Sequence, residues 1–111
     1  MEIAMEEING IRVVHLEGPR LDAAAAPKFK SDMIDIITQG ATRIIVDLSR
    51  IDFMDSTGLS SLMSTMKTLA GQGEIVLCGV SEKLRKLFSI TKLDRGVFRI
   101  FDNRAEALNG F

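Results

Sequence analysis

The 111-residue chain has one cysteine, one histidine, two prolines and no tryptophan or tyrosine. A lone Cys78 excludes an internal disulfide, and its apolar neighbours in "EIVLCGV" point to a buried structural thiol. With His15 and Cys78 in separate predicted strands, no metal-ligand cluster is encoded and no cofactor is expected. Excess charge of either sign is also missing: 14 Lys and Arg stand against 15 Asp and Glu, a formal net charge of −1. That balance gives no electrostatic footprint for nucleic acid or an anionic membrane. No run of about 18 apolar residues occurs, so no membrane span is expected. The opening "MEIAMEEING" lacks the basic region and apolar core of a secretory leader, and a cytoplasmic location is expected.

What is present is ordinary for a globular protein, 46% hydrophobic and 26% charged residues, enough for one domain over residues 1–111. Asn9-Gly10 separates residues 2–8 from 11–17, and both turn residues tolerate the positive φ of a type I′ hairpin. Ala26, Phe29, Met33, Ile36 and Ile37 recur at helical spacing from about Pro27 to Gly40. "RIIVDLS" reads as a buried strand, near-continuous in apolar residues. A second helix places Leu59, Leu62, Met63, Met66 and Leu69 on one stripe, with Ser60, Ser61, Ser64, Lys67 and Thr68 opposite. "EIVLCGV" is another buried strand, Ser81 a cap for a third helix carrying Leu84, Leu87 and Phe88, "GVFRIF" a last strand and "NRAEAL" a terminal helix. The order β-β-α-β-α-β-α-β-α predicts an α/β domain, a mixed sheet of four to five strands with helices packed on it. The basic residues Lys83, Arg85, Lys86, Lys92 and Arg95 read as a solvated face, and nothing signals a dimer, so a monomer is expected.

The chemistry concentrates in Asp55-Ser56-Thr57-Gly58, where an apolar strand meets an apolar helix. Ser and Thr are preferred N-caps, and capping alone explains most such junctions; loss of a cap costs about 0.5–2 kcal/mol. A catalytic serine needs a base, and His15 lies in the hairpin; nor is the turn a G-x-S-x-G elbow, so an enzyme is not expected. A nucleotide cradle is not expected, for want of G-x-x-x-x-G-K-[ST] and G-x-G-x-x-G, since Gly71-Gln72-Gly73 closes a helix. A phosphate-receiving serine fits the position. Backbone N–H groups and the helix dipole favour an anion there, and a phosphoryl group would repel a docked partner without unfolding the domain. Ser60, Ser61 and Ser64 would let another backbone approach, though taken alone they read better as a plain solvated face.

These residues resemble the bacterial anti-sigma-factor antagonists, the small members of the STAS family, over essentially the whole chain. "IIVDLSRIDFMDSTGLSSL" is similar to the family's valine-rich strand followed by D-S-[ST]-G-L; "LEGPRLDAAAAPKF" and "LRKLFSITKLDRGVFRIFDNRAEAL" are similar to its flanking segments. The resemblance implies partner switching. The unphosphorylated protein binds an anti-sigma factor with serine kinase activity and frees the sigma factor; kinase action at Ser56 ends the binding, and a metal-dependent serine/threonine phosphatase resets it. ATP and Mg²⁺ belong to the kinase. By the same resemblance Asp55 shapes the acceptor turn, Asp22 lies near it, Thr57 caps or flanks it and Gly58 admits close backbone approach. Leu59, Ser60, Ser61 and Ser64 belong to the partner-binding face. Ser60 stands where some members have Gly, and the Ala23–Ala26 run before Pro27 where many have Thr. The alternative is a STAS scaffold or transporter-associated subunit that works without phosphate.

Overall fold

A computed structural model describes residues 2–69 and 71–111. The strands are β1 (Ile3–Ile8), β2 (Ile11–Leu16), β3 (Arg20–Leu21), β4 (Arg43–Asp47), β5 (Phe53–Met54), β6 (Glu74–Cys78) and β7 (Ile100–Phe101). The helices are α1 (Ala26–Thr38), α2 (Ser56–Leu69), α3 (Glu82–Ile90) and α4 (Arg104–Asn109). Five strands form one mixed sheet in the order β1-β2-β4-β6-β7. The β1–β2 pair is the antiparallel hairpin expected at Asn9-Gly10, whose φ values are 52° and 79°; the other three pairings are parallel.

Side-chain alternation along β2, β4 and β6 sorts the core into two layers. Val14, Leu16, Ile44, Val46, Ile75 and Leu77 belong to the larger one, where Phe29 and Met33 of α1, Leu62 of α2 and Phe88 of α3 pack. The opposite parity, Ile11, Val13, Ile45, Val76 and Cys78, packs with Ala107 of α4. Cys78 is buried as expected, and burial pushes its thiol up to about 12.

Three local expectations change. The last strand is Ile100–Phe101 alone, because Gly96 turns at a φ of 79° and Phe98 goes to the core, edge-on to Phe88 at 6.1 Å. An additional two-stranded parallel ladder joins β3 to β5, pairing Arg20 with Phe53 and Leu21 with Met54. Finally, the buried face of α2 is Gly58, Ser61, Leu62, Thr65 and Leu69, rotated from the apolar stripe read in the sequence. Leu59, Met63 and Met66 only flank the core. Small residues occupy the seam because α2 lies close to its neighbours. The buried hydroxyls cost little, since Ser61 donates to the Gly58 carbonyl (2.6 Å) and Thr65 to the Leu62 carbonyl (2.8 Å).

Candidate functional site, the Asp55–Gly58 turn

The β3–β5 ladder brings the loop before α1 beside the turn that opens α2. The Pro19 carbonyl accepts the backbone N–H groups of Asp52 (2.7 Å) and Phe53 (3.2 Å), fixing the approach to the turn. Asp55 then links the two segments. One carboxylate oxygen accepts the Gly58 N–H at 2.9 Å and the other accepts the Ala23 N–H at 3.2 Å, while the Asp55 carbonyl accepts the Leu59 N–H at 3.0 Å. This is the geometry of an N-cap, so Asp55 caps α2 and neither Ser56 nor Thr57 does. The sequence reading of a hydroxyl cap is corrected: Asp is at least as good a cap as Ser or Thr, and it precedes them here.

Freed of capping, Ser56 is an exposed residue at the first helical position, and its hydroxyl makes no hydrogen bond among the described residues. Thr57 is exposed beside it. Asp22 organises the neighbouring loop. One carboxylate oxygen accepts the Ala24 and Ala25 N–H groups at 3.1 and 3.2 Å, and the other accepts from Arg20 at 3.1 Å. The Arg20 bond, reinforced by those N–H groups, holds the Asp22 carboxyl below its usual range. Asp22 and Asp55 are thus brought together through Ala23.

Gly58 and Ser61 sit differently from expectation. Gly58 is buried, and the close backbone approach it permits is internal: a Cβ there would meet the Leu21 carbonyl oxygen at 2.0 Å. Ser61 is 5% exposed and forms the floor, not the rim, of the α1–α2 groove. That groove, about 420 Å³, runs between Pro27 and Lys30 of α1 and Thr57, Ser60, Ser61 and Ser64 of α2. Ser60 is exposed and Ser64 and Leu59 are half-buried. A hollow of about 500 Å³ among Glu74, Arg85 and Asp94 shares no residue with the turn.

One feature of the site escaped the sequence reading. Phe53 lies under the Arg20 guanidinium at 4.3 Å from the ring centre, with the Lys83 ammonium at 6.0 Å. Two cations therefore stand on an aromatic face two residues before the acidic cap. The local sign was the apolar pair Phe53-Met54 just before the acidic cap, too short to separate a two-residue strand from a loop. Groups of His, Cys, Asp and Glu arranged to hold a metal ion are absent among the described residues, and none of their helices is long and apolar enough to cross a membrane.

The family model for the STAS domain matches residues 2–107. The protein BtrV of Bordetella bronchiseptica is 29% identical over 112 aligned positions, spanning 100% of this chain and 95% of that protein. The anti-sigma-B factor antagonist of Staphylococcus aureus is 34% identical over 77 residues, 68% of this chain and 71% of that protein. Among solved structures, the Bacillus cell fate determinant SpoIIAA in its phosphorylated form superposes with a TM-score of 0.75 at 28% identity. That alignment covers 98% of both chains. With the family model matched over residues 2–107 and the fold superposing on a solved relative, the chain belongs to the STAS-domain family.

Proposed function

We propose that the chain is an anti-sigma-factor antagonist that works by partner switching, and that Ser56 is its phosphate acceptor. In this reading the unphosphorylated protein docks the Ser56 turn and the rim of the α1–α2 groove on an anti-sigma factor with serine kinase activity. Docking displaces the sigma factor. The kinase, which brings ATP and Mg²⁺, then phosphorylates Ser56, and a metal-dependent serine/threonine phosphatase restores the hydroxyl. The protein itself catalyses nothing.

The observation that carries the reading is the division of labour between Asp55 and Ser56. Asp55 satisfies the Gly58 and Ala23 N–H groups, so the turn keeps its shape whatever happens at Ser56. Ser56 presents an exposed hydroxyl at a helix N-terminus, where a phosphoryl group is electrostatically tolerated by the fold. The same group adds nearly two negative charges beside Asp55 and Asp22, enough to repel a surface that had accepted the neutral hydroxyl. Resemblance to proteins named as anti-sigma-factor antagonists, that of Staphylococcus aureus among them, supports the choice of partner.

The test is mass spectrometry of the protein recovered from its host and digested with trypsin. The fragment of residues 51–67 holds both Ser56 and Thr57, and its fragmentation separates them. Phosphate on Ser56 is expected. Phosphate on Thr57 alone would move the acceptor, and an unmodified fragment under several growth conditions would favour the constitutive scaffold.

A further inference from the structure

The second face of the sheet is covered chiefly by α4 and the residues after it. Ala107 is wholly buried on Val13, Ile45, Val76 and Cys78, with Leu108 and Phe111 packed beside it. For a helix of six residues this is a thin apolar hold, and such a helix has little stability of its own. Polar links therefore matter. The C-terminal end is tied by Arg99, which donates to the Gly110 carbonyl at 2.5 Å, and the approach by Arg85 to Asp102 at 2.8 Å.

The N-terminal end of α4 is tied through a chain of four side chains from four elements. Arg104 of α4 donates to Oε1 of Glu6 on β1. The same oxygen lies 3.1 Å from Nε2 of His15 on β2, and His15 Nδ1 lies 2.8 Å from Oδ2 of Asp47 on β4. Asp47 is anchored in turn by the Ser49 N–H at 2.9 Å. Glu17 and Arg50, paired at 2.6 Å, border the same small hollow, and Cys78 of β6 lies in the field of Asp47 and Arg104.

Protonated, His15 donates from both ring nitrogens and fixes Glu6 where Arg104 reaches it. Neutral, the ring keeps one N–H, and the shorter contact to Asp47 is the better use of it. A lone pair at Nε2 then faces the Glu6 carboxylate, and Glu6 loses its anchor. We propose that α4 is a proton-controlled clip on the sheet: protonated His15 holds Glu6 for Arg104, and loss of that proton loosens α4 from the apolar strip over Cys78.

Burial pulls the His15 pKa down, but the hydrogen bonds to Glu6 and Asp47 outweigh it and the net shift is upward. The clip is therefore fully engaged below the ordinary histidine value of about 6.5 and is released as pH rises through the raised one. Glu6 is held below the usual carboxylate range by its bonds to His15 and Arg104. At Asp47 burial works upward, yet the Ser49 and His15 bonds leave it low as well. Both carboxylates stay ionised across that window, so His15 alone among the four changes charge.

The experiment is amide hydrogen exchange read by mass spectrometry at pH values of about 5.5 and 8.5, on either side of the histidine range, with rates corrected for intrinsic pH dependence. Protection of the α4 amides, Ala107 and Gly110 included, is expected to fall about threefold to tenfold at the higher pH while β4 and α2 stay unchanged. His15→Gln should abolish the pH dependence, and Arg104→Gln should leave α4 exchanging fast at both values. Alkylation of Cys78, measured relative to the unfolded chain, should follow the α4 amides. Flat α4 protection in the unsubstituted protein, a loss shared equally by β4, or a dependence that survives in His15→Gln would each overturn the proposal. If His15→Gln does not fold, the first two outcomes and Arg104→Gln still decide it.

Discussion

Gly58→Ala separates helix propensity from packing because the two predict opposite signs. Gly58 lies in the first turn of α2, and alanine is favoured over glycine in a helix by about 1 kcal/mol. On propensity alone the substitution stabilises. The structure reverses this, since the new Cβ would lie 2.0 Å from the Leu21 carbonyl oxygen and 2.8 Å from its carbon, where Cβ contacts stay beyond 3.0 Å. The obstacle is backbone, so no side chain can swing aside. Leu21 is itself held by its pairing with Met54, and α2 by the bonds of Asp55 to Gly58 and Ala23. Over-packing costs about 1–3 kcal/mol; taking the upper end and subtracting the propensity gain leaves a net loss of about 2 kcal/mol. With an unfolding entropy near 2.1 cal/mol/K per residue, that lowers Tm by about 9 °C. Thermal unfolding followed by circular dichroism reads it directly, with Ser60→Ala on the exposed side of the same helix as the propensity control. A Gly58→Ala protein with unchanged or raised Tm would refute the claim that this glycine exists for the Leu21 contact.

Asp55→Ala removes the cap and the bridge to Ala23 and should cost about 1–2 kcal/mol in denaturant unfolding, whereas Ser56→Ala should stay within about 0.5 kcal/mol of the parent. Equal losses would return the capping role to Ser56. Ser56→Asp should fold normally and weaken binding to the anti-sigma partner at least about tenfold by titration calorimetry, a change of about 1.4 kcal/mol. Unchanged affinity would sink the repulsion argument. On the acid side, Asp22 and Asp47 have lowered folded pKa values, so their contribution is complete above the ordinary carboxylate value of about 3.9 and is lost as pH falls through the lower ones. Urea midpoints should therefore fall below that value, and Asp47→Asn should flatten the decline; the same slope in both proteins would count against it.

Elements whose signal is local were legible in the sequence. Asn9-Gly10 announced the hairpin, Ser81 the start of α3, where its Oγ accepts the Leu84 N–H at 3.3 Å, and the apolar runs of β4 and β6 the buried centre of the sheet. The position of the candidate site was legible too, because Asp55-Ser56-Thr57-Gly58 breaks one period and starts another. What depends on distant partners was not. The rotation of α2 follows from a contact between Gly58 and Leu21, 37 positions apart, that no periodicity encodes. The cap itself is local, Asp55 on the Gly58 N–H, but three good capping residues stand in a row; the bond from Ala23 to its other oxygen, 32 positions away, has no local signal. The β3–β5 ladder, two residues on each side, lies below the length at which alternation can be read.

These non-local contacts bear on how a phosphoryl group at Ser56 would act. One route is to melt or re-form the first turn of α2; the other is to change charge on a turn that stays put. Melting would have to break the Asp55 bonds to Gly58 and Ala23 and withdraw α2 from the Leu21 carbonyl, against which it is already in close contact. A phosphoryl group at the first helical position gives no reason to do so, because it is attracted to the helix N-terminus. The charge, in contrast, lands on an exposed site next to Asp55, whose carboxylate is itself tied through Ala23 to the Asp22 loop. In the proposed switch the modification would thus be read by the docked partner and not by the domain itself. A switch of this kind can be reset without refolding, and its sensitivity to salt should fall on partner binding and leave unfolding largely untouched.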